Sequence, residues 1–184
     1  LGIIGDRIFL MNTENIEPVI TRIDMLKPNL IVIDSIKTMT TPNVPGSAGS
    51  VRQVRECTRQ LIARAKPTSI PLILAGHVTK ARFIPAHSVL NNTVDVVLQL
   101  SGDPSGGLRI LHGIKNRYGH TNEVGVFEMG SEGLSEVTDP SESLLTHRSL
   151  RREPTPGTAV AAVIEGTRPI IVEVQALTAP SGSQ

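Results

Sequence analysis

The sequence has no tryptophan, one tyrosine and three phenylalanines among 184 residues, so any core it builds must rest on Ile, Leu, Val and Ala. The same scarcity leaves little for stacking nucleic-acid bases, and in the basic loops only Phe83 could serve as a platform. A single cysteine, Cys57, excludes an internal disulfide framework and any cysteine-rich zinc site within the chain. Its place in a helical pattern predicts a half-buried side chain. Cys57 and the histidines show no triad or metal-ligand spacing. No uninterrupted apolar run approaches the roughly 20 residues of a membrane span, and no signal-peptide pattern opens the chain. A soluble, cytoplasmic protein with no membrane partner is expected. The pattern G-x-x-x-x-G-K-[ST] is missing, and with it the usual backbone cradle for nucleotide phosphates. The net charge of +1 neither supports nor excludes a nucleic-acid partner, because it averages over local clusters. The chain begins at Leu1 and stops at "SGSQ" soon after a strand pattern, as a piece of a longer protein would.

What is present reads as alternating helices and strands. Thr13 can cap a helix whose apolar positions Ile16, Val19, Ile20, Ile23 and Leu26 recur at helical spacing, with Pro28 ending it. "NLIVIDSI" then has the continuous apolar character of a strand covered on both faces. The Thr-, Pro- and Gly-rich stretch at 38–50 reads as an exposed loop. Ser50 opens the next helix with Gln53 as its capping-box partner, and Arg52, Arg55 and Arg59 share one helix face. "IPLILAGH" is a second apolar strand, followed by a polar loop at 78–88. "VDVVLQL" and "LRILHGIKNR" read as neighbouring strands, "NEVGVFEM" and "GLSEV" as a hairpin, and "GTAVAAVIEGTRPIIVEVQAL" as two strands about a turn. The order of elements predicts an α/β fold with a mostly parallel central sheet. Residues 1–138 form its main domain, 139–156 a linker rich in Pro, Ser and basic residues, and 157–184 the start of another domain.

Two consecutive strands of that sheet end in Asp34-Ser35 and in Gly76-His77, which puts an aspartate and a histidine on the edge where such sheets hold ligands. Asp34 after an apolar strand has the Walker B form, a carboxylate that can hold magnesium through water. It can equally cap the next turn. His77 can meet a nucleotide phosphate or satisfy a loop carbonyl. In "KNRYG", Lys115 and Arg117 stand two apart and so project from one strand face. Two adjacent cations call for an anion between them, and a phosphate chain suits the planar fork of an arginine. A solvated strand edge is the plainer reading. Lys37, Arg52, Arg55, Lys80 and Arg82 lie in or beside the two polar loops and can follow a nucleic-acid backbone.

Taken in order, "LIVIDSIKTM", "GSVRQVRE", "IPLILAGHVTK", "VDVVLQLSGD", "RILHGIKNRYGHTNEVGVFEM" and "EGTRPIIVEVQAL" resemble the bacterial RadA (Sms) family of RecA-related DNA repair ATPases over nearly the whole chain. "KNRYG" is similar to that family's "KNRFG", and Asn91-Asn92 stands where the family usually carries Glu-His. The resemblance implies part of a RecA-like P-loop ATPase core followed by the beginning of a Lon-protease-like domain. It implies ATP and magnesium as cofactors, with zinc confined to an N-terminal finger outside this chain. It implies single-stranded DNA and recombination intermediates as partners, and a hexameric ring that drives branch migration. On this reading Asp34, with Ser35, is the Walker B site, the two loops bind DNA, and Lys115 and Arg117 are fingers reaching a neighbouring subunit's ATP, with His77 beside the phosphates. The chain alone, without its phosphate loop, is expected to be inactive. The competing expectation is a DNA-binding or assembly module without catalysis.

Overall fold

The computed structural model describes residues 5–77, 90–102, 107–141, 156–176 and 178. Lys80, Arg82, the loop at 78–88 and residues 142–155 of the linker lie outside the described residues. By its internal contacts the chain divides into two compact units, residues 2–94 and residues 95–184.

The first unit contains α1 (Ile16–Leu26), β1 (Ile31–Ile33), α2 (Val51–Ala65) and β2 (Leu72–Leu74). The cap of α1 is Asn15, not Thr13. Asn15 Oδ1 accepts the Glu17 N–H at 3.1 Å, while Thr13 Oγ1 accepts the N–H of Asn15 itself at 3.2 Å. The helix stops at Lys27, which takes a left-handed conformation and donates its N–H to Ile23 O at 2.9 Å. β1 and β2 pair in parallel, Ile31 with Leu72 through Ile33 with Leu74. Both helices pack on one side of this pair. Ile16 and Ile23 of α1, Ile31 and Ile33 of β1, and Val54, Cys57 and Leu61 of α2 form a single buried cluster. Cys57 is fully buried rather than half-buried, and its thiol is pushed up to about 11 by that burial, with the Glu56 charge adding to the shift. Among the described residues the strands are covered on one face only: Val32 and Ile73 are 57% and 53% exposed, whereas Ile31 and Ile33 are buried and Leu72 and Leu74 part-buried.

The second unit is antiparallel. β3 (Val96–Gly102), β4 (Leu108–Asn116), β5 (Val124–Gly130) and β6 (Gly133–Glu136) form a meander in that order, and β7 (Thr158–Glu165) pairs with β8 (Arg168–Gln175) as a hairpin. The expectation of a mostly parallel central sheet is therefore corrected, since among the described residues only β1 and β2 are parallel. The reason lies in the connections. A parallel pair needs a crossover of a dozen or more residues, which α2 supplies between β1 and β2, whereas the short links between β3 and β6 permit only antiparallel return. The turn between β7 and β8 docks on the segment after β4. The Thr167 N–H donates to Asn122 O at 2.9 Å, and Arg168 donates to Thr138 O. Gly166, at φ +63°, could carry no side chain there, because a Cβ would lie 2.1 Å from Asn122 O.

Candidate nucleotide and DNA site

In the first unit the parallel ladder runs past the strands. Ala75 donates to Ile33 O at 2.9 Å and Ile36 to Ala75 O at 3.1 Å, which sets the residues after β1 beside those after β2. Asp34 is exposed on this edge and Ser35 is buried beside it, and the peptide joining them is cis. The Ser35 carbonyl accepts both the Thr38 N–H and its hydroxyl, at 3.2 and 2.9 Å, which turns the chain into the 38–50 loop. Lys37 Nζ donates to the His77 carbonyl at 2.5 Å. The structure thus brings Asp34, Ser35, Lys37 and the exposed His77 to one edge, with Lys37 tying the two strand ends together.

The 38–50 loop is held by one buried side chain, and it is not the capping partner that its spacing suggests. Ser50 occupies the cap position of α2 but makes no side-chain cap bond. Gln53, 2% exposed, does not reach back to it as a capping box would. Its Oε1 accepts the Thr41 N–H at 2.9 Å, and its Nε2 meets the carbonyls of Thr41, Val44 and Gly46 at 3.0, 2.7 and 3.2 Å. Removing the amide would strand the buried N–H and carbonyl of Thr41, whereas the part-buried carbonyls of Val44 and Gly46 can turn to water, and a buried group left unsatisfied costs about 1–3 kcal/mol. Gln53→Ala is therefore expected to lower the unfolding free energy by about 1–3 kcal/mol and to expose 38–50 to limited proteolysis. Denaturation with urea and digestion time courses read both effects, and a parent-like result in each would show that the loop is held elsewhere.

The cationic face of α2 is smaller than its sequence implied. Arg59 is turned onto Glu56, with Nε and Nη2 donating to the carboxylate at 2.9 and 2.6 Å. These bonds, helped by Gln60, hold the Glu56 carboxyl down to about 2. Arg52 and Arg55 are exposed and make no hydrogen bond or ion pair among the described residues.

In the second unit, Lys115 lies half-buried on β4 opposite Val97, and Arg117 lies one residue beyond the strand. The anion beside Arg117 within the chain is Asp95, whose Oδ1 accepts from Nη1 at 2.6 Å. No spacing in the sequence points to Asp95 as part of the site. Asn116 organises the turn that follows: its Oδ1 accepts the Tyr118 N–H at 3.0 Å and its Nδ2 donates to His120 O at 3.3 Å. Tyr118 itself is 79% exposed.

Among the described residues no group of three or more His, Cys, Asp or Glu side chains could hold a metal ion, and no helix is long and apolar enough to cross a membrane. A magnesium ion held with a nucleotide needs no such cluster, because it takes one or two carboxylates and fills its shell with waters and phosphate oxygens. The exposed carboxylate of Asp34 at a strand end fits that requirement.

No family model matches the chain. Over 181 residues, 98% of its length, it is 45% identical to a protein of Listeria monocytogenes named DNA repair protein RadA and 42% identical to one of Bacillus subtilis of the same name. The chain spans 39% of the length of each of these relatives. In structure it is similar to a solved ATPase domain, with a TM-score of 0.56 at 13% identity, over 67% of this chain and 52% of that one. The α/β fold is thus similar to that of the solved domain, and over 98% of its length the chain is a homologue of the RadA proteins.

Proposed function

We propose that the chain is part of a DNA-dependent ATPase of DNA repair and homologous recombination, which works as a ring of six subunits and drives branch migration of recombination intermediates. The observation that carries this reading is the placement of Asp34 and His77 at the ends of two adjacent parallel strands, in a chain 45% identical to a DNA repair protein RadA. Asp34, with Ser35 beside it, would hold magnesium through water, and His77 would stand at the phosphates of the same nucleotide. When bound, magnesium supplies positive charge to the phosphate oxygens. Lys115 and Arg117 would reach the ATP of a neighbouring subunit, with Arg117 offering a planar set of donors to phosphate oxygens. The loop held by Gln53 leads into the exposed Arg52 and Arg55, and with Lys37, Lys80 and Arg82 these would follow the phosphates of single-stranded DNA. The Lon-protease-like domain would begin in the β7–β8 hairpin.

A RadA chain of full length that carries this segment is the material for the test. It is expected to hydrolyse ATP faster when single-stranded DNA is added. Changing Arg52 and Arg55 together to Ala should weaken DNA binding and reduce the slope of log affinity against log salt by roughly 0.7 for each phosphate that is no longer neutralised. Unchanged affinity and slope would remove these arginines from the DNA path. DNA binding without any ATP turnover in the parent protein would favour an assembly or DNA-binding module instead.

A further inference from the structure

Asp95, one residue before β3, holds Arg117 at two points. The Arg117 backbone N–H donates to the Asp95 carbonyl at 3.1 Å, and its Nη1 donates to Asp95 Oδ1 at 2.6 Å. The first bond fixes the backbone from which the side chain springs, and the second fixes the direction of the guanidinium. The two side chains remain 50% and 31% exposed. An ion pair so open to water contributes little to folding, so its ordered geometry bears on aim more than on stability. The contact occupies Nη1 alone, and among the described residues no acceptor meets Nε or Nη2 of Arg117. A guanidinium carries five N–H donors in one rigid plane, so a carboxylate on one nitrogen sets that plane and leaves other donors for a second anion.

We propose that Asp95 is a positioning residue, which orients the Arg117 fork to grip the phosphate oxygens of a nucleotide delivered from outside the chain. This rests on the reading of Arg117 given above. Asp95 does not touch the nucleotide; it acts by removing the search of a long, flexible side chain for its productive direction, and misplacement of a catalytic group by about an ångström can cost on the order of a hundredfold in rate.

The test uses a full-length RadA chain carrying this segment. Asp95→Asn keeps the shape and the backbone carbonyl but removes the charge. ATP turnover at saturation is expected to fall on the order of ten- to a hundredfold, with ATP affinity and thermal midpoint retained. Asp95→Glu, which restores the charge, should recover part of the loss. Combining Asp95→Asn with Arg117→Ala should be no worse than Arg117→Ala alone, because both act through one guanidinium. If Asp95→Asn hydrolyses ATP at or above the parent rate while Arg117→Ala is inactive, Asp95 does not position the arginine, although the arginine keeps its role. A loss in Asp95→Asn that tracks a lowered thermal midpoint, with no rescue by Glu, would make Asp95 a structural contact only. Parent-like turnover in Arg117→Ala would instead overturn the reading on which the proposal stands.

Discussion

Arg117→Ala subunits, in a RadA chain of full length carrying this segment, are expected to bind ATP almost normally and to lose hydrolysis on the order of a thousandfold or more, the loss typical of an arginine that stabilises charge developing in phosphoryl transfer. Binding survives because the change leaves each subunit's own phosphate and metal contacts in place. The guanidinium is well suited to the role: it is half exposed and, among the described residues, bonded through one nitrogen only. Arg117→Lys should recover little, since an ammonium pairing with Asp95 is a point charge with no planar fork to offer a second anion. Mixing Arg117→Ala subunits with subunits mutated in the phosphate loop provides the decisive arm. An intact arginine and an intact loop then meet at some interfaces, and part of the activity should return. Mixed rings that demonstrably co-assemble yet hydrolyse nothing would show that Arg117 does not act across the interface, and "KNRYG" would then be better read as a DNA contact or a strand edge.

Much of this arrangement was legible because it is local. The helical recurrence of Ile16 and Ile23, the apolar runs ending at Asp34 and before His77, and the hairpin of β5 and β6 each follow from residues close in sequence. What escaped was set by contacts between distant residues. Gln53 has the right spacing from Ser50 for a capping box, but the main-chain groups of 41–46 compete for its amide and win. Thr13 resembles a cap, yet Asn15 stands two residues nearer the helix and takes the place. The parallel sheet expected from alternating helices and strands gave way where the connections are too short for a crossover.

The Asp95–Arg117 contact shows the limit most clearly. Counting from the turn, where Gly102 faces Arg109, the register would set Asp95 opposite Asn116. A bulge between Val97 and Leu98 moves the pairing by one, so that Val97 faces Lys115 and Val96 faces Asn116. Asp95 thereby meets Arg117, in backbone and side chain alike. A one-residue slip in a strand moves every later side chain to a new partner, and nothing in the local residue types announces it. The same slip undoes the simplest inference from "KNRYG", that two neighbouring cations demand a phosphate. Part of that demand is met within the chain by a carboxylate, and the case for phosphate rests instead on the guanidinium nitrogens that Asp95 leaves uncommitted.

Asp34→Asn is the second change with a large expected effect, and it separates metal chemistry from turn capping. In the full-length chain it should abolish most magnesium-dependent ATP hydrolysis while leaving the fold intact. The fold should survive because Asp34 is exposed at the end of β1, and the surrounding order comes from other groups: Ile36 bonded to Ala75 O, Lys37 to the His77 carbonyl, and Thr38 to Ser35 O. No side-chain hydrogen bond or ion pair of Asp34 is found among the described residues, so asparagine forfeits no observed contact there. Turnover should fall because an amide oxygen is neutral, and a cation that keeps most of its waters depends on the charge of the few carboxylates it has. The measurement is ATP turnover against magnesium concentration, with thermal midpoints recorded in parallel. A loss of maximal rate, or a shift of the magnesium requirement to much higher concentration, at an unchanged midpoint is the expected result. Parent-like turnover at every magnesium concentration would return Asp34 to the role of a residue that begins a turn, and the magnesium site would have to be sought outside this strand end.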